Sequence, residues 1–283
     1  MAAIKDSDAY LNKERLLAQH QAALSILQGR LDNPKLTDFQ WLDLGCGKGQ
    51  IIVNLEYNIG DSARTKISYS AFDIKEEHLS ITLKKAESLK FKSLNGKVGD
   101  ISDFPRLFAL QTKFDFITLT NSIHEFSPLI IPELLFQAII RLTPTGLLFL
   151  YDMESLPSLE LGAITWTREE IHELSNCFLK NIGVTDYFPT PGKWHHSSCD
   201  GWNLQISREY INFEDATLLK IQSEAIPKTK QNILTILRRK LHECERSLES
   251  ITRHGAETDD EEKLKQKLLY DFWALNRIKE IHQ

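Results

Sequence analysis

The chain has 283 residues, 42% of them hydrophobic and 26% charged, with a formal net charge of −5. This suits one α/β domain with an appendage, or two small domains, and gives no global attraction to nucleic acid. No apolar run approaches the ~18 residues of a membrane helix, the opening MAAIKDSDAY is too polar for a secretory leader, and Cys46, Cys177, Cys199 and Cys244 form neither a C-x-x-C pair nor a disulfide framework. The expectation is a reduced, cytoplasmic protein without membrane contact.

Three parts are expected in chain order: an N-terminal helical segment (1–34), a central α/β domain (35–211) and a C-terminal helical hairpin (212–283). In the first, Leu11, Leu16, Leu17, Leu24 and Leu27 form much of an apolar stripe on a helix from Asp8 to Leu31, and Asn33-Pro34 ends it. The central part alternates strands and helices. FQWLDL reads as a strand, followed by a helix from Gly49 toward Ile59. KISYSAFD is the second strand, with Ile67, Tyr69 and Ala71 alternating, and a helix follows from Glu76 to Lys90. LNGKVGD is a short third strand, FDFITLT the fourth, and Pro128 to Leu142 the next helix. GLLFLYD is unbroken apolar sequence, as a strand buried on both faces requires. Thr167 caps a helix that ends near Asn181, with Glu170 completing a capping box. GVTDYF and GWNLQIS are read as the last two strands, linked by PTPGKWHHSSCD.

This series implies a mainly parallel sheet covered by helices on both faces. The last strand is expected to be antiparallel, because its link is so short. From about Asn212 no strand signal remains. Leu234, Leu237, Leu241, Cys244, Leu248 and Ile251 follow helical spacing. After RHGAETDD, so do Leu264, Leu268, Phe272 and Leu275, giving an antiparallel helical pair.

The residues after the first strand carry the chemistry. WLDLGCGKGQ contains D-x-G-x-G-x-G, built from Asp43, Gly45, Gly47 and Gly49. A P-loop needs G-x-x-x-x-G-K-[ST], which is absent. A dinucleotide fingerprint needs its third glycine at position 50, where Gln50 stands. The observed spacing fits a ligand with an amino acid and a nucleoside but no phosphates, since small residues let the backbone lie close to it. Asp43 is placed to attract an ammonium group or to hold the loop through backbone N–H groups.

The loop resembles motif I of the class I S-adenosylmethionine-dependent methyltransferases, over about Phe39 to Ser207. The family fold is a seven-stranded sheet with an antiparallel last strand. The resemblance implies S-adenosyl-L-methionine as cofactor, in contact with Asp43, Gly45, Cys46 and Gly47. It assigns Asp73, beside Ile74 at the end of the second strand, to the ribose hydroxyls. Asp100 is assigned to the adenine amino group, with Ile101 on the adenine face. Asn121 and Ser122 match the motif that approaches the methionine part and the substrate. Cys46 reads as a small buried side chain rather than a nucleophile.

Two segments are expected on the acceptor side, beyond the carboxyl ends of the strands. One is NSIHEF, with His124 and Glu125. It lacks the Asn/Asp-Pro-Pro-Tyr/Phe motif of methyltransferases that act on base amino groups or glutamine. The other is KWHHSSCDGW, for which three readings stand. Its tryptophans stack on an acceptor that His195, His196 or Asp200 binds or deprotonates; or His195 or His196, Cys199 and Asp200 bind a metal; or the turn is structural. No spaced partner pair completes four ligands, so no metal site is assigned.

Together these features imply methyl transfer by in-line displacement to a small-molecule acceptor, with RNA or protein as the alternative acceptor. A non-catalytic nucleoside-binding scaffold is the alternative from another class. The basic run Lys228, Lys230, Arg238, Arg239 and Lys240 reads as a solvated helix face rather than an RNA contact. The C-terminal hairpin offers a surface for a partner or a second copy.

Overall fold

The computed structural model describes residues 18–156, 158–196, 199–255, 258–278 and 281, without the side chains of residues 18, 19, 196 and 254. The expected stripe residues Leu11, Leu16 and Leu17 lie outside the described residues. Helix α1 (Ala18–Leu31) buries Ala23, Leu24, Leu27 and Leu31. It meets helix α2 (Gln50–Asn58) through the buried pair His20 Nδ1 and Asn54 Oδ1, 2.8 Å apart. Between them runs strand β1 (Phe39–Leu44). A short helix α3 (Asp61–Arg64) accounts for the long connection to strand β2 (Ile67–Asp73). Its Arg64 guanidinium donates to the carbonyls of Glu56, Ile59 and Leu89, closing the end of α2.

Helix α4 (Glu76–Ser88) and strand β3 (Ser93–Val98) follow. A short helix α5 (Phe104–Leu107) leads to strand β4 (Phe114–Thr120). Helix α6 (Ile131–Ile139) is followed by strand β5 (Leu142–Met153) and helix α7 (Arg168–Asn181), the last capped by the expected Thr167–Glu170 box. Strands β6 (Gly192–His196) and β7 (Cys199–Ser207) close the sheet. Two helices end the chain: α8 (Asp215–His254) and α9 (Asp259–Asn276).

The sheet has seven strands in the order β3-β2-β1-β4-β5-β7-β6. Strands β1 to β5 are parallel to one another, and β7 runs antiparallel to both β5 and β6. The expected seven-stranded sheet with its antiparallel last strand is therefore present.

One expected strand is corrected. GVTDYF does not form a ladder; β6 is Gly192–His196 instead. Gly183, at φ 90°, ends α7, and the Val184 N–H bonds back to the Leu179 carbonyl. The segment then crosses β7 through one side chain, for Tyr187 Oη donates to the Gln205 carbonyl and accepts the Ser207 N–H. The residues read as a link are thus half of a hairpin.

The core lies on both faces of the sheet. On one face Leu42, Ile117, Leu148 and Leu204 meet α6, α7 and the first half of α8, whose Leu218, Ile233, Ile236 and Leu237 are buried in the same cluster. On the other, Trp41, Tyr69, Phe116 and Phe149 meet α1 and α2. The packing does not break at residue 211. Helices α8 and α9 pack on each other, with the Cys244 thiol 3.2 Å from the Leu268 carbonyl. Among the described residues no helix is long and apolar enough to cross a membrane.

Candidate active site

Strand β1 ends at Leu44, and the chain turns through Gly45, Gly47 and Gly49 at φ 63°, 52° and 78°. These angles explain the three glycines, because an L-residue with a side chain is strained there. Two of the glycines are also constrained by neighbours. A Cβ on Gly45 would lie 2.8 Å from Ser122 Oγ, and one on Gly49 3.0 Å from Thr82 Oγ1. A Cβ on Gly47 would meet nothing within 4 Å, and this residue lines a cleft of about 490 Å³ at the carboxyl ends of β1, β2, β4 and β5.

The turn is held from outside by α4. Thr82 Oγ1 donates to the Gly47 carbonyl at 2.8 Å, and Lys85 Nζ to the Lys48 carbonyl at 3.1 Å. From inside it is held by Asp73, whose Oδ2 accepts the Gly47 N–H at 2.8 Å. The other oxygen of Asp73 accepts the Lys75 N–H at 2.8 Å. A carboxylate has about four acceptor sites, so capacity remains for ribose hydroxyls.

Among the described residues Asp43 accepts no backbone N–H of the loop, so it does not hold the loop in that way, although it lines the cleft. It is buried and accepts from Thr118 Oγ1 at 2.6 Å and Tyr69 Oη at 2.8 Å. Burial, which those hydrogen bonds offset only in part, pushes its carboxyl up to about 6, and the nearby Asp73 charge adds to the rise. Burial also pushes the Cys46 thiol up, with Asp43 and Asp73 adding to it. A thiol so suppressed is a packing group and not a nucleophile.

Asp100 caps the 3-10 turn Ile101–Asp103, accepting from Ser102 N at 2.9 Å and Ser102 Oγ at 2.7 Å. Those bonds hold its carboxyl below the usual range. Asn121 adopts φ 52° after β4 and donates its N–H to the Tyr151 carbonyl. Asp43, Gly45, Cys46, Gly47, Asp73, Ile74, Asp100, Ile101, Asn121 and Ser122 all line the one cleft. The fit to a nucleoside–amino acid cofactor rests on two features. The open space over Gly47 admits a ligand against the backbone, and three acids are spaced along the cleft with acceptor capacity left.

The far end of the cleft holds His124 and Glu125, as expected from NSIHEF, together with two acids that motifs do not mark. His124 sits on the 3-10 turn Ile123–Glu125 and is 3% exposed. Asp152, at the end of β5 and 1% exposed, takes both its N–H groups: the backbone at 3.0 Å and ring Nδ1 at 2.7 Å. Ring Nε2 faces Glu160 Oε2 at 3.4 Å and Glu125 Oε1 at 4.0 Å. Burial opposes the charged ring, yet hydrogen bonds and charge from Asp152 and Glu160 outweigh it and raise His124 to about 10. Burial raises Glu125, and the Glu160 and Asp152 charges reinforce that against the opposing charge of His124. Asp152 and Glu160 are additions to the residues expected from sequence. Asp152 is the last residue of GLLFLYD, where an acid ends an apolar strand; Glu160 lies in a loop that no spacing singles out.

The hairpin residues are placed elsewhere. The hairpin end lies on the active-site side of the sheet, as expected, but His195, Asp200 and Cys199 are not among the described residues that line the cleft. His195 is 72% exposed and pairs with Asp200 across the two strands at 2.7 Å. The His196 side chain lies outside the described residues. The stacking role for the tryptophans is corrected. Trp202 is fully buried and donates to the Trp166 carbonyl at 2.8 Å, while Trp194 stacks on Tyr151 at 4.9 Å. A Cβ on Gly201 would fall 2.1 Å from the Trp194 ring, so the G-W pair in GWNLQIS serves packing. The Cys199 sulfur lies 3.9 Å from that of Met153, a residue that lines the cleft.

The basic run on α8 is largely consumed by neighbours. Arg239 pairs with Glu173 at 2.7 Å and Lys240 with Glu170 at 2.8 Å, fastening α8 to α7. Arg238 donates to the Ile281 carbonyl, and Lys228 pairs with Glu224.

A family model described as "Methyltransferase domain" matches residues 37–239. No curated protein matches the chain. Among solved structures, the chain is similar to magnesium protoporphyrin IX methyltransferase from Synechocystis PCC 6803 with bound S-adenosylmethionine, at 13% identity and a TM-score of 0.44, over 67% of this chain and 79% of that one. It is similar to the CurJ carbon methyltransferase at 16% identity and a TM-score of 0.49, over 66% and 54%. It is also similar to the N-methyltransferase NodS from Bradyrhizobium japonicum WM9 at 12% identity and a TM-score of 0.46, over 66% and 94%. Likenesses this distant say nothing of the acceptor.

Proposed function

We propose, from the premise that this chain belongs to the class I S-adenosylmethionine-dependent methyltransferases, that it methylates a small molecule held at the His124–Glu160 end of the cleft. The observation that carries the reading is the path of the chain after β5. It returns over the far end of the cleft, where Ser158 and Glu160 join the lining and the Ile164 N–H bonds to the His124 carbonyl at 2.8 Å. The acceptor end is thereby walled by the chain itself, which suits a small acceptor better than a polymer.

The cofactor supplies an electrophilic methyl on a sulfonium, and the protein's work is alignment and exclusion of water. The loop from Gly45 to Gly49 provides a close backbone surface. Asp73 and Asp100 offer carboxylate oxygens to hydroxyl and amino groups. Asp152 fixes His124, and His124 in turn fixes Glu160. If the acceptor must lose a proton, Glu160 and Glu125 are the carboxylates placed to take it. RNA as acceptor loses its main support in the ion pairs that occupy Arg239 and Lys240.

The test is transfer of a labelled methyl group to fractions of a cell extract. Label in the low-molecular-weight fraction supports the reading. Label only in the RNA or protein fraction rejects a small-molecule acceptor, and absence of label from every fraction, with cofactor bound, supports the scaffold.

A further inference from the structure

We propose that His124, Glu125 and Glu160 bind a divalent first-row transition-metal ion of the Mn2+ or Zn2+ class at the acceptor end of the cleft, with Asp152 orienting the imidazole. One ligand atom from each of the three lies within 4.8 Å of the other two. Nε2 of His124 is 3.4 Å from Glu160 and 4.0 Å from Glu125. Ligands bound at about 2.1 Å to a common ion stand about 3–3.5 Å apart. His124 and Glu160 already meet that spacing, and the exposed Glu125 side chain closes on them by a change of rotamer.

The support behind the ring is what a metal-bound histidine requires. Such a ring donates its second N–H to a carboxylate, which fixes tautomer and plane. Asp152 does this at 2.7 Å from a site buried at the end of β5, and it also holds the His124 backbone N–H. The imidazole is thus locked with Nε2 directed at the two glutamates. Three carboxylates surround this single ring, and among the described residues Glu160 has no ion-pair partner besides His124. An imidazolium alone leaves net negative charge in a walled cleft; a divalent ion with a neutral ring reduces it. Ligation displaces the Nε2 proton, and the ion takes over its place between the same carboxylates.

One nitrogen and two carboxylates form a donor set for Mn2+ or Zn2+ rather than for Mg2+ or Ca2+, which take oxygen ligands. Three protein ligands leave positions open toward the cleft. The matching acceptor offers a hydroxyl or carboxylate oxygen. That last step rests on the methyltransferase reading, whereas the ion site itself does not.

The test uses the full chain, stripped with chelator and titrated with Mn2+. Free ion is followed by its paramagnetic resonance signal, and Zn2+ is measured by competition. S-adenosylhomocysteine binding is measured by calorimetry on the same samples. The expected result is one ion per chain. Glu160→Gln is expected to weaken binding at least about 10-fold, and Asp152→Asn about 10- to 100-fold, while His195→Ala, outside the cluster, leaves it unchanged. Absence of a stoichiometric site in folded wild type, or equal binding by Glu160→Gln, overturns the proposal. Intact S-adenosylhomocysteine binding in those samples would leave the methyltransferase reading standing, and its loss alongside retained Mn2+ binding would count against that reading only.

Discussion

The Asp73 carboxylate accepts the Gly47 N–H at 2.8 Å. The end of the second strand therefore sets the shape of the loop after the first. One residue closes the glycine turn and lines the same cleft, so a variant of Asp73 is expected to change loop order and cofactor affinity together.

Gly47 and Gly49 have similar backbone angles but different surroundings, so their alanine variants should separate two effects. Gly47→Ala is strained by about 1–2 kcal/mol, and its Cβ enters open cleft. It is expected to fold with a modestly lowered Tm and to lose most cofactor affinity. Gly49→Ala carries the same strain and a 3.0 Å approach to Thr82 on α4. Its loss should fall mainly on stability. Thermal melts paired with calorimetry check this, and equal affinity losses per degree of Tm would contradict it.

Asp43 supplies a pH prediction. Its folded value of about 6 lies above the ordinary 3.8. The folded state therefore holds this proton more tightly than the unfolded chain. Its stabilising contribution is complete below about pH 4 and is lost as pH rises through 6. At neutral pH the buried charge costs about 2–3 kcal/mol. Asp43→Asn should stabilise the cofactor-free protein at pH 7.5, and the gain should shrink as pH falls from 6 toward 4. Denaturant melts of both proteins across that range measure it. A gain independent of pH would refute the assignment.

How far the sequence reaches is clear from these cases. FQWLDL and FDFITLT carry strong apolar patterns and form β1 and β4 with the expected bounds. The Thr167 cap has a local chemistry that distance cannot disturb. The glycine loop is legible because its backbone angles admit few other residues. GVTDYF misleads because its alternation imitates a strand, although a left-handed glycine commits its start to ending a helix. GKWHH is hidden because its pairing with β7 is decided by Trp194 packing on Tyr151, a contact distant in sequence. Glu160 joins His124 only when the chain has crossed back over the cleft, and no local spacing encodes that return.

The hairpin histidine should be silent. His195 and Asp200 pair on an exposed face, and the His195 bond, with Lys193 nearby, holds the Asp200 carboxyl below its usual range. His195→Ala is expected to leave cofactor affinity and, with an acceptor in hand, kcat and KM unchanged. A fall in kcat with KM intact would return the hairpin to the active site.

The C-terminal helices carry both buried and exposed leucines. Leu237 on α8 is fully buried in the core shared with β5 and β7, whereas Leu264 on α9 is half-exposed. Leu237→Ala should cost about 2–5 kcal/mol in the single unfolding transition of the domain. Leu264→Ala should stay within about 0.5 kcal/mol. If Leu237→Ala left the main transition untouched, residues 212–283 would be an independent unit.

The most direct measurement is calorimetric titration of the wild-type chain with S-adenosylmethionine and S-adenosylhomocysteine, with Asp73→Ala alongside. Both ligands are expected to bind wild type, and the variant to lose about 1–3 kcal/mol of affinity if ribose hydroxyls share the acceptor that holds the Gly47 N–H. Folded wild type that binds neither ligand, or a variant that binds as tightly as wild type, would contradict this expectation.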